Sequence, residues 1–553
     1  MKCSRLQVWL TVAALAAGTL PAADIPGRSP ANQVFQYMTT QSFTPPGHKT
    51  TTANAYLWIP PACPRVRGVL VLGQNVPEQW LVGHPAIREV CAEESLAILF
   101  TCRSFRLADV CADQNYPDKG KDHGTFLQQI LDALAAESGY AELGTVPWLP
   151  MGESMSLYIP NLLTSAFPER CIAGIQIKDG QWDRLQSPGV PILVAAGTGA
   201  EWSQQTFDIS TRWREMAVDD LRQHRTKRTA VTAWPGSLLV EGGSAHFACT
   251  EPMGLLIAQY IRAATRARLA PDGGPVLRPV DLDTGFVAGL PVPGAAPVPS
   301  KRYPDCTPEE RTLPWYFDRE SAQAAYDLAS INWNAQPQLP VFSDREGQPL
   351  PFDRSGIIRP VPSATGDDGI TFTLHATFLR QVPDHFVKGG TPLGHAPGAP
   401  VIEWLCGPFV PLGGNRFQIA LDRSWGTTNI FARVWHPGDD RYRLATNPGG
   451  LELIPNQAGQ AQTITFEAIP DQRSGVKEIS LRASSDSGMP VRFFVKAGPA
   501  EIHGARLVFT PVPLRSKLPL AVTVVAWQWG RGVEPAVQTA PLVERSFRIL
   551  APR

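Results

Sequence analysis

Short apolar runs alternate with amphipathic stretches from about residue 55 to residue 265. The runs cover 68–72, 96–101, 146–151, 171–177, 190–196 and 229–234. Between them, 84–93, 125–137, 156–166, 210–223 and 251–268 space their apolar residues as helices do. A short run that is apolar throughout suits a strand buried on both faces, and strands alternating with helices build a mostly parallel, two-sided sheet. The pattern therefore predicts an α/β unit.

The texture changes after Arg268. Residues 271–300 are dense in Pro and Gly without sustained periodicity, which reads as a linker or an ordered surface connection. A short helical pattern follows at 319–331, with Tyr326 and Trp333 giving it an aromatic side for docking. From 340 onward helices largely disappear. Short β-rich runs at 369–378, 416–422, 429–435, 463–466, 478–483, 491–495, 506–509 and 520–527 are separated by turn residues. That spacing predicts β-sandwich modules. The expected layout is an α/β unit at 24–270, a connection at 271–340, a β-rich module at 341–456 and a second β-sandwich at 457–553.

Length agrees with several domains, since 553 residues exceed what one hydrophobic core holds. Lys2 and Arg5 precede an apolar run from 8 to 20, and Pro21-Ala22-Ala23 offers small residues for cleavage before Asp24. This is the pattern of a secretory signal at 1–23. The run is shorter than the roughly 20 apolar residues of a spanning helix. The expectation is an exported chain, periplasmic or extracellular, with no membrane span left after cleavage. Eight cysteines follow: Cys63, Cys91, Cys102, Cys111, Cys171, Cys249, Cys306 and Cys406. In an oxidising compartment an even set permits disulfides, Cys102 with Cys111 being the pair to test first; the other reading is small buried apolar residues.

Basic and acidic side chains balance at 50 each. No overall field draws the chain to nucleic acid or anionic lipid. The basic run Arg222-Gln223-His224-Arg225-Thr226-Lys227-Arg228 falls where a helix should end, and reads as a solvated terminus. No His-Glu-x-x-His, close Cys-x-x-Cys or Gly-rich phosphate loop occurs, so no metal or nucleotide cofactor follows from the sequence. His84 and His123 stand near helix starts as surface residues without a role. Trp527-Gln528-Trp529 reads either as a sugar platform or as a strand with at least one ring in the core.

The candidate chemistry lies in Met151-Gly152-Glu153-Ser154-Met155-Ser156, where an apolar run meets a helical one. Small residues two before and two after a serine allow a sharp strand-to-helix turn that lifts the hydroxyl above the sheet. Gly152 fits this pattern, and Ser156 stands where a second Gly is usual. A serine hydroxyl needs a base, and His246, in Gly242-Gly243-Ser244-Ala245-His246-Phe247, lies between the last strand and the last helix. The acid that orients the imidazole is Glu201, after the run at 190–196, with Asp179 the alternative and Asp208 a weaker one. An oxyanion hole would take the backbone N–H of Met155 and one from Gln74 or Asn75.

In order and spacing these positions resemble the α/β-hydrolase superfamily, in its dienelactone-hydrolase and acyl-esterase part, over residues 55–268. The resemblance implies that Ser154 forms an acyl-enzyme, His246 relays protons, and water releases the acid. The tail resembles a bacterial immunoglobulin-like module. That likeness rests on Ile464-Thr465-Phe466, on Ile469-Pro470-Asp471, on the stretch 483–495 and on Gly498-Pro499-Ala500. The leading expectation is a secreted serine esterase acting on an ester or a glycan-linked acyl group. Its rivals are a peptidase of the same fold and a noncatalytic surface protein with a degenerate hydrolase domain.

Overall fold

The computed structural model describes residues 34–46, 49–102, 119–178, 189–198, 235–270, 274–291, 299–331, 335–353, 357–362, 366–384, 389–426 and 429–552. The expected signal at 1–23, the basic run at 222–228, and the predicted segments 210–223 and 229–234 lie outside them. Eight strands form one sheet: β1 (Tyr37–Phe43), β2 (Thr51–Trp58), β3 (Gly68–Leu72), β4 (Leu96–Cys102), β5 (Trp148–Glu153), β6 (Gly174–Ile177), β7 (Ile192–Gly197) and β8 (Gly236–Glu241). Their order is β1-β2-β4-β3-β5-β6-β7-β8. β1 and β2 are antiparallel to each other, and β2 is antiparallel to β4. All later neighbours run parallel.

Successive side chains of a strand point to opposite faces, and here both faces are buried. Leu70, Leu72, Ile98, Phe100, Leu149 and Met151 point to one side. Val69, Val71, Ala97, Leu99 and Trp148 point to the other. The first face is covered by α1 (Val76–Val82), α2 (Pro85–Glu93) and α5 (Glu251–Arg268), the second by α3 (Lys119–Ser138) and α4 (Tyr158–Ala166). α5 buries Met253, Ile257 and Ile261 at four-residue spacing, each of the larger apolar side chains contributing roughly 1.5–3 kcal/mol. Arg266 and Arg268 lie in its last turn, where cations complement the helix dipole. A mostly parallel sheet in this order, with helices on both sides, matches the α/β-hydrolase fold.

The connection after α5 is packed on the sheet. Trp315 is fully buried, and its indole donates to Leu282 O at 3.1 Å. Ser237 Oγ donates to Trp315 O at 2.6 Å, and the Tyr316 hydroxyl donates to Leu238 O at 2.6 Å. α6 (Arg319–Ser330), capped by Asp318 accepting from Ser321 N at 2.7 Å, lies against β8. Its inward face is Ala322, Ala325, Leu328 and Ala329, while Tyr326 is only half-buried and Trp333 is outside the described residues. These segments cover β8, an edge that would otherwise present unpaired backbone groups.

Small, mostly antiparallel sheets follow, consistent with β-sandwich modules. In a second unit, Val401–Cys406, Phe431–His436 and Ala445–Gly450 pair in that order. The run 369–378 splits, Thr371–Thr373 and His375–Phe378 joining different sheets. In a third unit, Arg492–Ala497, Leu520–Trp527 and Val543–Leu550 form the main sheet. It is tied to the α/β unit by Lys517 N donating to Ser138 O at 2.9 Å and Arg515 N donating to the Tyr140 hydroxyl at 3.1 Å.

One expectation needs correction, and two pairs of alternatives are narrowed. Trp527 and Trp529 are both buried, at 3% and 4% exposure, in keeping with the core reading of this segment rather than the sugar platform. His84 and His123 are core residues, each 1% exposed, and His84 Nε2 is 3.0 Å from Glu251 Oε2. Seven cysteines, Cys102 among them, are buried, as the reading of small buried apolar residues expects; Cys111, and with it the pairing of Cys102 with Cys111, lies outside the described residues.

Candidate functional site

β5 ends at Glu153, and Ser154 follows at φ +49°, a left-handed backbone that a non-glycine residue rarely adopts. The chain then turns through one 3-10 segment, Ser154–Leu157, into α4. A Cβ on residue 152 would stand 2.1 Å from Ser156 O, so the tightness of the turn requires Gly152. This is a nucleophile-elbow geometry. Ser156, standing where a second Gly is usual, has a use of its own: its hydroxyl bonds the Glu78 carboxyl.

Glu78 joins the elbow to the loop after β3. It is fully buried in the first turn of α1. Its Oε2 accepts Asn75 N–H at 2.7 Å, and its Oε1 accepts Glu153 N–H at 2.8 Å. The Asn75 side chain donates back to Glu153 O at 3.0 Å. Burial pushes the Glu78 carboxyl up to about 7, against the hydrogen bonds from Asn75, Glu153 and Ser156 that pull it down. Asn75 N–H is thus engaged by Glu78, which removes it from the expected oxyanion donors. Gln74 O accepts from Gln79 Nε2 at 2.8 Å.

His246 is 2% exposed, on the loop between β8 and α5. Its Nε2 lies 3.4 Å from Oε1 of Glu153, itself fully buried. The residue preceding Ser154 therefore brings a carboxylate to the imidazole. Beneath the loop, the buried Lys178 Nζ donates to Glu241 Oε2 at 3.2 Å and to Ser244 Oγ at 2.8 Å. Glu241 Oε1 accepts Thr250 N–H at 3.2 Å and also bonds the Thr250 hydroxyl. Thr198, at the end of β7, accepts Gly243 N–H on Oγ1 at 2.9 Å. Glu201, Asp179 and Asp208 all fall outside the described residues.

The structure thus draws Ser154, the loop at Gln74 and Asn75, and His246 around Glu153. Sequence reasoning passed over Glu78, Glu153, Lys178 and Glu241. Glu78 carried a signal: Asn75 followed three residues later by Glu is capping-box spacing. Glu153 had none, because where the side chain before the serine points depends on the turn.

No protein-family model matches the chain, and no curated protein matches it. Among solved structures, a dienelactone hydrolase from Anabaena variabilis is 14% identical, covering 41% of this chain and 95% of that one, with a TM-score of 0.27. The esterase domain of a Rhodothermus marinus protein is 12% identical, covering 42% and 99%, with a TM-score of 0.26. An S-formylglutathione hydrolase from Agrobacterium tumefaciens is 11% identical, covering 42% and 99%, with a TM-score of 0.27.

Proposed function

We propose that the chain is an exported serine hydrolase that cleaves carboxylic esters, with an acyl group on a polysaccharide as the favoured substrate class. The observation that carries the reading is the strained serine at the strand-to-helix turn, preceded by a buried carboxylate that lies 3.4 Å from Nε2 of the buried His246. Ser154 Oγ attacks the acyl carbonyl while His246 takes its proton. The negative charge that develops on the carbonyl oxygen is met by the backbone N–H groups of Met155 and Gln74, worth most where water is excluded. His246 then gives its proton to the leaving alcohol oxygen, and the acyl group stays on Ser154. A water, deprotonated by His246, attacks the acyl-enzyme and releases the acid. A carboxylate keeps the imidazole oriented and stabilises its cation. Glu201 and Asp179 are the candidates from spacing, and Glu153 from proximity.

The test is turnover of a p-nitrophenyl ester by wild type, Ser154→Ala and His246→Ala. Residues that act as one unit lose most of the rate when either is removed, so each substitution is expected to cost about 10³-fold or more in kcat. Wild-type turnover that survives Ser154→Ala sinks the reading. An inactive wild type turns attention to peptide substrates and then to a noncatalytic binding role.

A further inference from the structure

The loop that carries His246 runs from β8 to α5 without regular structure, and much of what holds it comes from a distant part of the chain. Thr446 N–H donates to Gly243 O at 2.9 Å, and Ala245 N–H donates to Thr446 Oγ1 at 2.9 Å. On the other side of the histidine, the rings of Phe247 and Phe431 lie 5.2 Å apart, and Arg433 Nη1 donates to Cys249 O at 2.8 Å. Both residues flanking His246 are therefore held by the second unit. The approach is close enough to dictate sequence: Gly243 has φ +72°, and a Cβ there would stand 1.6 Å from Leu444 O. The same unit reaches the other half of the site, where Asn429 Nδ2 donates to Asn75 Oδ1 at 3.2 Å.

Thr446 sits on Ala445–Gly450, the outer strand of its sheet. An outer strand offers unpaired backbone N–H and C=O groups, and the histidine loop takes one of them up. Ala245 N–H is buried, and without the threonine hydroxyl it would have to be paired again by moving the loop.

We infer that Thr446 is a positioning residue for His246, so that the second unit is a working part of the hydrolase site and not an appended module. The inference rests on the serine-hydrolase reading for its kinetic consequence, and on the hydrogen bonds alone for its structural one. Thr446→Val keeps the shape and the backbone N–H but removes the acceptor of Ala245 N–H. Thr446→Ser restores that acceptor. With active sites counted by titration with an organophosphonate, Thr446→Val is expected to lower kcat per site about 10- to 100-fold, as a misplaced catalytic group does, with KM within about twofold. Thr446→Ser is expected to recover most of the rate. A role confined to general stability would lower the number of titratable sites and leave kcat per site unchanged. Amide hydrogen exchange over residues 243–249, run on the same full-length proteins, reads the loop without reference to activity. Faster exchange in Thr446→Val, reversed in Thr446→Ser, supports the clamp even if no ester is turned over, an outcome that would refute the esterase reading alone. Unchanged exchange, or unchanged kcat per site in an active enzyme, overturns the inference.

Discussion

Glu78 gives the site a pH dependence whose sign and size follow from its surroundings. It is fully buried and is pushed from an ordinary 4.5 to about 7 by loss of solvent, in spite of the hydrogen bonds that favour its charged form. A carboxyl that binds its proton more tightly folded than unfolded contributes stability that is fully present below about pH 4.5. That contribution is lost as the pH rises to about 7. At about 1.4 kcal/mol for each pH unit, the interval is worth about 3 kcal/mol. Glu78→Gln removes the titration. It also leaves one oxygen to serve two N–H groups, Asn75 and Glu153, so one buried donor loses its acceptor. That defect costs about 1–3 kcal/mol and does not vary with pH. Wild type is therefore expected to lead the variant at acid pH, and to lose that lead or fall behind near neutrality. Equilibrium urea unfolding of both proteins across this interval, followed by protection of the β5 amides so that the α/β unit is read by itself, measures the difference. Parallel curves for the two proteins would refute the argument, because they would mean that ionising Glu78 costs the folded state nothing.

Two further outcomes follow from buried groups around the site. Lys178→Met strands the Glu241 carboxylate, both side chains being almost wholly buried at 3.2 Å, and is expected to destabilise the protein by about 3–5 kcal/mol in thermal or urea unfolding. Lys178→Met with Glu241→Gln should recover a good part of that loss, and equal destabilisation of single and double variants would rule out the pair as the cause. The seven described cysteines are buried, and burial pushes the Cys91 thiol up to about 12. Their reaction with a water-soluble disulfide reagent is expected to be negligible until denaturant unfolds the chain, and fast labelling of the native protein at any of them would contradict the packing.

What the sequence made legible was local. The runs that became β3, β4, β6 and β7 are apolar apart from Thr101 and Gln176 because a central strand is buried on both faces, and α5 repeats its apolar residues every four positions, so both announce themselves. The hairpin of β1 and β2 did not. Tyr37–Phe43 is rich in Thr, Gln and Ser, because at the edge of the sheet one face of the strand meets solvent. β8 was hidden by Pro235 and Gly236, and the last strand was sought at 229–234 instead. At the site, Gly152 and Ser154 were readable because the elbow is made by neighbours in sequence. The surroundings of His246 were not, because its loop is held by residues about 200 positions away.

The strand that does the holding shows why such a contact escapes a reading by composition. Ala445-Thr446-Asn447-Pro448-Gly449-Gly450 has the residues of a turn, yet it pairs over its whole length with Phe431–His436. Pro448 is tolerated because the strand is the outer one of its sheet. Gly449 is required because a Cβ there would stand 2.3 Å from the ring of Phe342. An outer position leaves the free edge that Gly243 meets, and small residues let neighbouring parts come close. The features that hide this strand from a propensity reading are therefore those that let it dock against the histidine loop. A Pro- and Gly-rich stretch in the β-rich half of such a chain is for that reason a place to look for contacts with the site.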